Sequence, residues 1–344
     1  MRLVIFLWCF IALVSAAPQY HVLPSLRDRA AIQNSWQKER IEKVIPRILE
    51  KYNVDMWIIA QREYGEDTVF WSLKMAETFA ARRRTIYIFE RTNGTYRHHI
   101  FLDNTAQIWK DVRSVVEKAD PRSIVLNIDQ DIAFSDGLHA GEREILERTL
   151  GPWRARIRRE PNVAVEVIET RVDGMLEVYR QMMENVHAMI SEAFSARTIT
   201  PGQTTTMDLV WWYRERIQAQ NMTTWFHPSV EVFRKGGHDK VPNEPEDEDV
   251  VILPGDVLHV DVGVVAYGLA TDTQHMGYVL AEGETEPPAT IKNALRTHSN
   301  KMQDAVRRAL KVGSTGDDVL KESLEDIERQ GVVGTVYSHP IGDW

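Results

Sequence analysis

Cysteine is almost missing from this sequence. The only one, Cys9, lies within the first sixteen residues, in a stretch that reads as a removable leader. Disulfides, thiol catalysis and cysteine–zinc sites are therefore excluded from the rest of the chain. Basic residues are not in excess: 41 Lys and Arg face 50 Asp and Glu, for a net charge of −9. That balance argues against nucleic acid as a partner, because phosphate binding needs a basic face. Arg82-Arg83-Arg84 and the run from Arg154 to Arg159 are local exceptions and read as solvated faces. No short-period repeat is present. The apolar run Leu3–Val14 is too short to span a membrane in the ordinary way.

What is present begins with that run. Arg2, the uncharged Leu3–Val14 and the small residues Val14-Ser15-Ala16 form a leader pattern with cleavage expected before Ala17. The competing reading is a buried first element or an uncleaved anchor. With residues 1–16 removed, the protein is expected to be secreted or periplasmic and free of the membrane. Asn93-Gly94-Thr95 and Asn221-Met222-Thr223 match the acceptor pattern for N-glycosylation, which matters only in a eukaryotic secretory pathway.

A length of 344 residues suggests two domains. Over 17–170, strand and helix patterns alternate. Ile41, Val44, Ile45, Ile48 and Leu49 recur at helical spacing, with Pro46 expected to kink that helix or mark its start. Val54–Ala60 reads as a buried strand. Thr85–Glu90 and Tyr96–Leu102 form a hairpin about Thr92-Asn93-Gly94. Ala106–Ala119 and Leu138–Leu150 read as helices around a strand at Ser123–Ile128. This is an α/β domain over a mixed sheet. From 171 to 344 the pattern changes to α+β. Helices are expected over Met175–Ala196, Met207–Gln218, Thr290–Lys311 and Asp317–Arg329. The Met182, Val186, Met189, Ile190, Ala193 stripe reads as core. Glu244–Asp249 reads as a solvated acidic loop.

The chemistry concentrates between Leu253 and Leu280. Leu258, Val260, Val262 and Val264 alternate with His259 and Asp261, a strand with one apolar face. Ala266-Tyr267-Gly268 reads as a hairpin turn. Asp261 and Asp272 should then stand opposite each other, or one residue off. Two facing carboxylates repel. Either one is protonated, or a cation lies between them, or the pair is solvated beside the turn.

HVDVG followed by ATDTQH resembles the two-aspartate hairpin of the pita-bread metallopeptidases, the family of prolidase, aminopeptidase P and methionine aminopeptidase. Ser338-His339-Pro340-Ile341-Gly342 is similar to the family's His-x-Leu-Gly motif, with Pro340 unusual. RIEKVIPRILEKYNVDMWII resembles the N-terminal domain of creatinase and prolidase. The resemblance implies a creatinase-like N-terminal domain, then a pita-bread catalytic domain. It makes Asp261, Asp272 and His339 metal ligands, and His238 a contact to substrate near the scissile bond, with His227 its rival. His275 is close enough in sequence to Asp272 to line the same pocket. Two glutamates should complete a dinuclear site beyond Trp344, so the resemblance implies a chain cut within its catalytic domain and inactive as it stands.

By the same resemblance, the cofactor is a divalent metal, two ions in the complete protein: manganese, cobalt, zinc or iron. A water shared by the ions would ionise near pH ~7 and attack the amide carbonyl. The substrate would be a short peptide, with proline after the N-terminal residue in the Xaa-Pro enzymes, and homodimers are common in the family. The alternatives are a creatinase-like hydrolase, a catalytically dead binding protein of the same fold, or a structural secreted protein. Creatinase lacks the aspartate pair, which counts against it.

Overall fold

A computed structural model describes residues 18–235, 249–337, 339 and 341. The leader with Cys9, most of the acidic loop, His238 and Trp344 lie outside them. The described chain opens with α1 (Leu26–Glu39), which runs through a π-helical stretch at Arg40–Val44 into α2 (Ile45–Lys51). The change of winding falls where Pro46, in the first turn of α2, withholds an N–H from the helical ladder. β1 (Met56–Arg62), α3 (Thr68–Leu73), β2 (Arg84–Thr92), β3 (Thr95–Leu102), α4 (Gln107–Ala119) and β4 (Ile124–Leu126) follow. After these come α5 (Ala140–Leu150) and α6 (Asn162–Glu169).

The four strands make one sheet in the order β3-β2-β1-β4, with β1 parallel to β4 and antiparallel to β2. It is the mixed sheet that the alternating pattern implies. Strand β1 is buried on both faces, which is why its sequence is apolar from Met56 to Ala60 rather than alternating. Trp57 and Ile59 join one buried cluster, while Met56, Ile58 and Ala60 join another with Ile108, Val112 and Leu146 of the covering helices. Each such side chain contributes roughly 1.5–3 kcal/mol by leaving water. The Asn93-Gly94 turn takes positive φ at both positions, 51° and 73°, as a two-residue hairpin of this kind requires.

The arginine clusters are not simply solvated. Arg84 clamps the buried Glu142 with two hydrogen bonds of 2.8 Å. Arg159 clamps Asp129 at 2.5 and 2.9 Å and holds its carboxyl far below the usual range. Burial of the carboxylates explains the difference: an ionised group removed from water is retained only with a charged partner.

The second half begins with α7 (Met175–Ala193) and α8 (Thr206–Ala219), then β5 (Ser229–Phe233), β6 (Val257–Val262), β7 (Val265–Ala266), β8 (Leu269–Ala270) and β9 (Thr273–Tyr278). The methionine stripe of α7 is core, with Met182, Val186 and Met189 fully buried. A three-stranded antiparallel sheet runs β5-β6-β9, with the short β7–β8 pair at the turn. Leu258, Val260 and Val262 point into the same buried cluster as Trp57 and Ile59. The chain then turns through α9 (Ala289–Ala294), a second π-helical stretch at Leu295–Ser299, α10 (Asn300–Ala309) and α11 (Gly316–Arg329). Gly313 at φ 96° breaks the chain between the last two helices, and Thr315 caps α11 through a reciprocal bond with Asp318.

Candidate metal centre

Strand β6 carries Asp261 opposite Gln274 of β9. The same register continues through the hairpin, with Thr271 N–H donating to the Val264 carbonyl at 2.9 Å and Val265 paired with Ala270. Tyr267 and Gly268 close it, at φ 56° and 80°. The expected opposition of the two aspartates is therefore corrected: Asp272 sits two residues before Gln274, diagonal to Asp261. A shift of two preserves the face, so both carboxylates still point to the same side of the sheet.

One nitrogen lies between them. Gln274 Nε2 donates to Asp261 Oδ1 at 2.9 Å and to Asp272 Oδ1 at 2.7 Å. Sequence reasoning overlooked this residue, although period two from Asp272 would have found it. Partial burial first, and the neighbouring Asp272 charge as well, push the Asp261 carboxyl above its ordinary pKa; the Gln274 bond opposes that shift. His339 arrives from the segment after α11. Its Nε2 stands 3.1 Å from Asp272 Oδ2, and its ring lies 5.9 Å from Trp225 and 6.4 Å from Tyr337. It reaches the pair from a loop rather than from a strand. Arg171 holds the segment by donating to the Ile341 carbonyl.

Gly263 explains how Trp225 fits beside the pair. A Cβ there would lie 2.4 Å from the Phe226 ring and from the Thr271 carbonyl, and 2.6 Å from Trp225 Nε1. Glycine leaves room for Trp225 Nε1 to donate to Thr271 at 2.8 Å, next to Asp272. His275, by alternation, points to the opposite face of β9. There it meets His187 of α7 with ring centroids 5.0 Å apart, and burial followed by the His187 charge lowers its pKa. It does not line the aspartate site. His227 is exposed on the segment before β5, and His238 lies outside the described residues.

Oxygen and imidazole donors are the kind that borderline divalent cations take, and a hydrogen-bond donor already occupies the gap between the carboxylates. In kind the residues fit a metal. In placement they are incomplete, since among the described residues no three His, Cys, Asp or Glu side chains converge closely enough to hold one.

The model of metallopeptidase family M24 matches residues 177–344, a span that contains both aspartates and His339. That stretch, just under half of the chain, is similar to family M24. No curated protein matches the sequence. Among solved structures, the fold is similar to an X-Pro aminopeptidase from Thermotoga maritima MSB8, with a TM-score of 0.60 at 13% identity over 87% of this chain and 86% of that one. An Xaa-Pro dipeptidase from Bacillus anthracis gives 0.60 at 13% identity, over 86% and 78%. The His243Ala form of Escherichia coli aminopeptidase P gives 0.57 at 11%, over 86% and 72%. At such identities the likeness establishes the fold, and it spans the first sheet as well as the M24 half. The M24 match adds the class: a hydrolase of the metallopeptidase type, by resemblance.

Proposed function

We propose that the chain is a metal-dependent exopeptidase of the Xaa-Pro aminopeptidase or prolidase type, acting on short peptides. One observation carries the reading: two carboxylates on one sheet face share a single donor nitrogen, with an imidazole beside the second. Asp261 and Asp272 would hold a divalent cation, with His339 as the nitrogen donor. Bound there, the ion would supply an acidified water and polarise the scissile carbonyl.

The chain's own residues prepare for it. Partial burial makes two ionised aspartates costly until a cation offsets them. Gln274 holds the carboxylates in register meanwhile. Trp225, fixed by Thr271, walls one side, and the Arg171 anchor at Ile341 places His339 against Asp272. His238 is retained as the contact to the developing charge. Three donors suit one ion rather than two, so weak retention and low turnover are expected from them alone. The leader pattern at Arg2–Ala16 supports an exported enzyme.

A second reading is a binding protein of the same fold without catalysis. It is favoured by Gln274 filling the gap and by the lack of three converging ligands among the described residues. The deciding experiment titrates the protein with manganese, cobalt and zinc by calorimetry, then assays Xaa-Pro and proline-free di- and tripeptides. Metal-dependent turnover lost in Asp261→Ala and Asp272→Ala supports the peptidase. Metal bound through these aspartates without turnover supports the second reading, and no metal binding sinks the first.

A further inference from the structure

The β2–β3 hairpin carries a feature the metal centre does not use. Its turn is Asn93-Gly94, and Thr95 opens β3, paired with Thr92 across the strands. The turn alone accounts for Asn-Gly, since both residues need positive φ. It places no demand on the hydroxyl at the next position, yet Thr95 completes an Asn-x-Thr acceptor sequence. All three residues are exposed. A Cβ built on Gly94 would meet nothing within 4 Å, and the Asn93 amide has no partner among the described residues. The hairpin tip therefore presents its amide to open solvent.

The second acceptor sequence is placed differently. The Asn221 carbonyl accepts from Arg29 at 3.0 Å, Met222 is buried, and Thr223 is tied to Val265 by two backbone bonds of 3.0 and 2.7 Å. That segment is bound by its backbone into the hairpin that carries the aspartate pair, although Asn221 and Thr223 are exposed as well.

We propose that Asn93 is an acceptor for an N-linked oligosaccharide. The inference rests on the reading of the protein as exported. The donor is a lipid-linked oligosaccharyl diphosphate: its C1–O bond breaks, a C1–N bond to Asn93 Nδ2 forms, Nδ2 gives up a proton, and the lipid diphosphate leaves. The glycan would cover the hairpin end of β3, an edge strand of the kind that otherwise pairs with other chains.

The test expresses the full chain in a eukaryotic secretory host, once with its own N-terminus and once behind a grafted export leader. Secreted protein should show a mass shift removed by a peptide N-glycosidase, with the tryptic peptide Thr92–Arg97 carrying Asp at 93 afterwards. The shift should be lost in Asn93→Gln and in Thr95→Val, and kept in Thr95→Ser, which separates loss of the acceptor from loss of folding. A shift only behind the grafted leader supports the acceptor and overturns the export reading. Secreted protein with an unmodified Thr92–Arg97 peptide, or a shift that follows Asn221→Gln instead, overturns the proposal.

Discussion

Carboxylates in two regions of this molecule are treated in opposite ways. Around the first sheet, Glu142, Asp129 and Asp55 are each gripped by one arginine through two hydrogen bonds. Even beside the second sheet, Asp256 has Arg234 at 2.7 Å on both oxygens. The Asp261–Asp272 pair is held by a neutral amide and an imidazole. The same chain that neutralises its structural carboxylates with guanidinium leaves this pair to repel. On the proposed reading, a permanent cation would fill the place a metal needs, and the shortage of charge is what that reading requires.

The contrast can be tested from its strongest side first. Arg84→Ala would leave Glu142, which is 1% exposed, with only Arg62 at 3.8 Å as a charged partner, and should cost about 3–5 kcal/mol in denaturant unfolding. A loss below ~1 kcal/mol would show that the clamp is not structural. At the other pole, Asp272→Ala should weaken manganese or zinc binding by at least ~100-fold, about 2.7 kcal/mol in calorimetry. Equal affinity in variant and parent would remove Asp272 from the ligand set.

Asp67 is an intermediate case, buried with amide donors only. Asn127 Nδ2 donates to both its oxygens at 2.9 and 3.0 Å. Burial nevertheless pushes its pKa from 3.8 to about 6. A carboxyl whose pKa is higher in the folded state favours folding below its unfolded pKa. That contribution fades as pH rises through about 6. Asp67→Asn should therefore gain on the parent by roughly 2–3 kcal/mol between acid and neutral pH. A constant difference across that range would refute the burial argument.

The smallest effect has the most telling sign. Without metal, Asp261→Asn keeps an acceptor for Gln274 and removes the repulsion. It should stabilise the protein by up to ~1 kcal/mol, screened because the site is only partly buried. Destabilisation would mean that the pair is already balanced by a charge.

Much of this was legible in the residues. Period-two alternation revealed β6 and its buried face, Asn-Gly and Tyr-Gly marked both hairpins, and Pro46 marked the change of winding between α1 and α2. Symmetry about the turn brought Asp261 and Asp272 together, but as opposite or one residue off, where the register sets them two apart. His339 was legible only through the family motif, because nothing local predicts which loop returns to a distant strand. Gln274 is uncharged, and a glutamine in a strand carries no signal of its own. The arginine clusters misled because charge runs indicate exposure only on average, and burial of their partners is a tertiary fact. α3 is capped by Asp67 but is only six residues long, and α6 is short and has no side-chain cap. The position of His238 relative to the pair lies outside the described residues.

The hairpin tip bears on how the molecule comes together. Tyr267 is buried against Trp36 of α1, with ring centroids 5.8 Å apart. A hairpin can close locally within microseconds, but this one rests on a helix from near the other end of the chain. Its final seating is a contact of very long sequence separation, the kind whose loop-closure entropy slows folding. The hairpin that carries the aspartates can close from local contacts, whereas the seating of its turn requires α1.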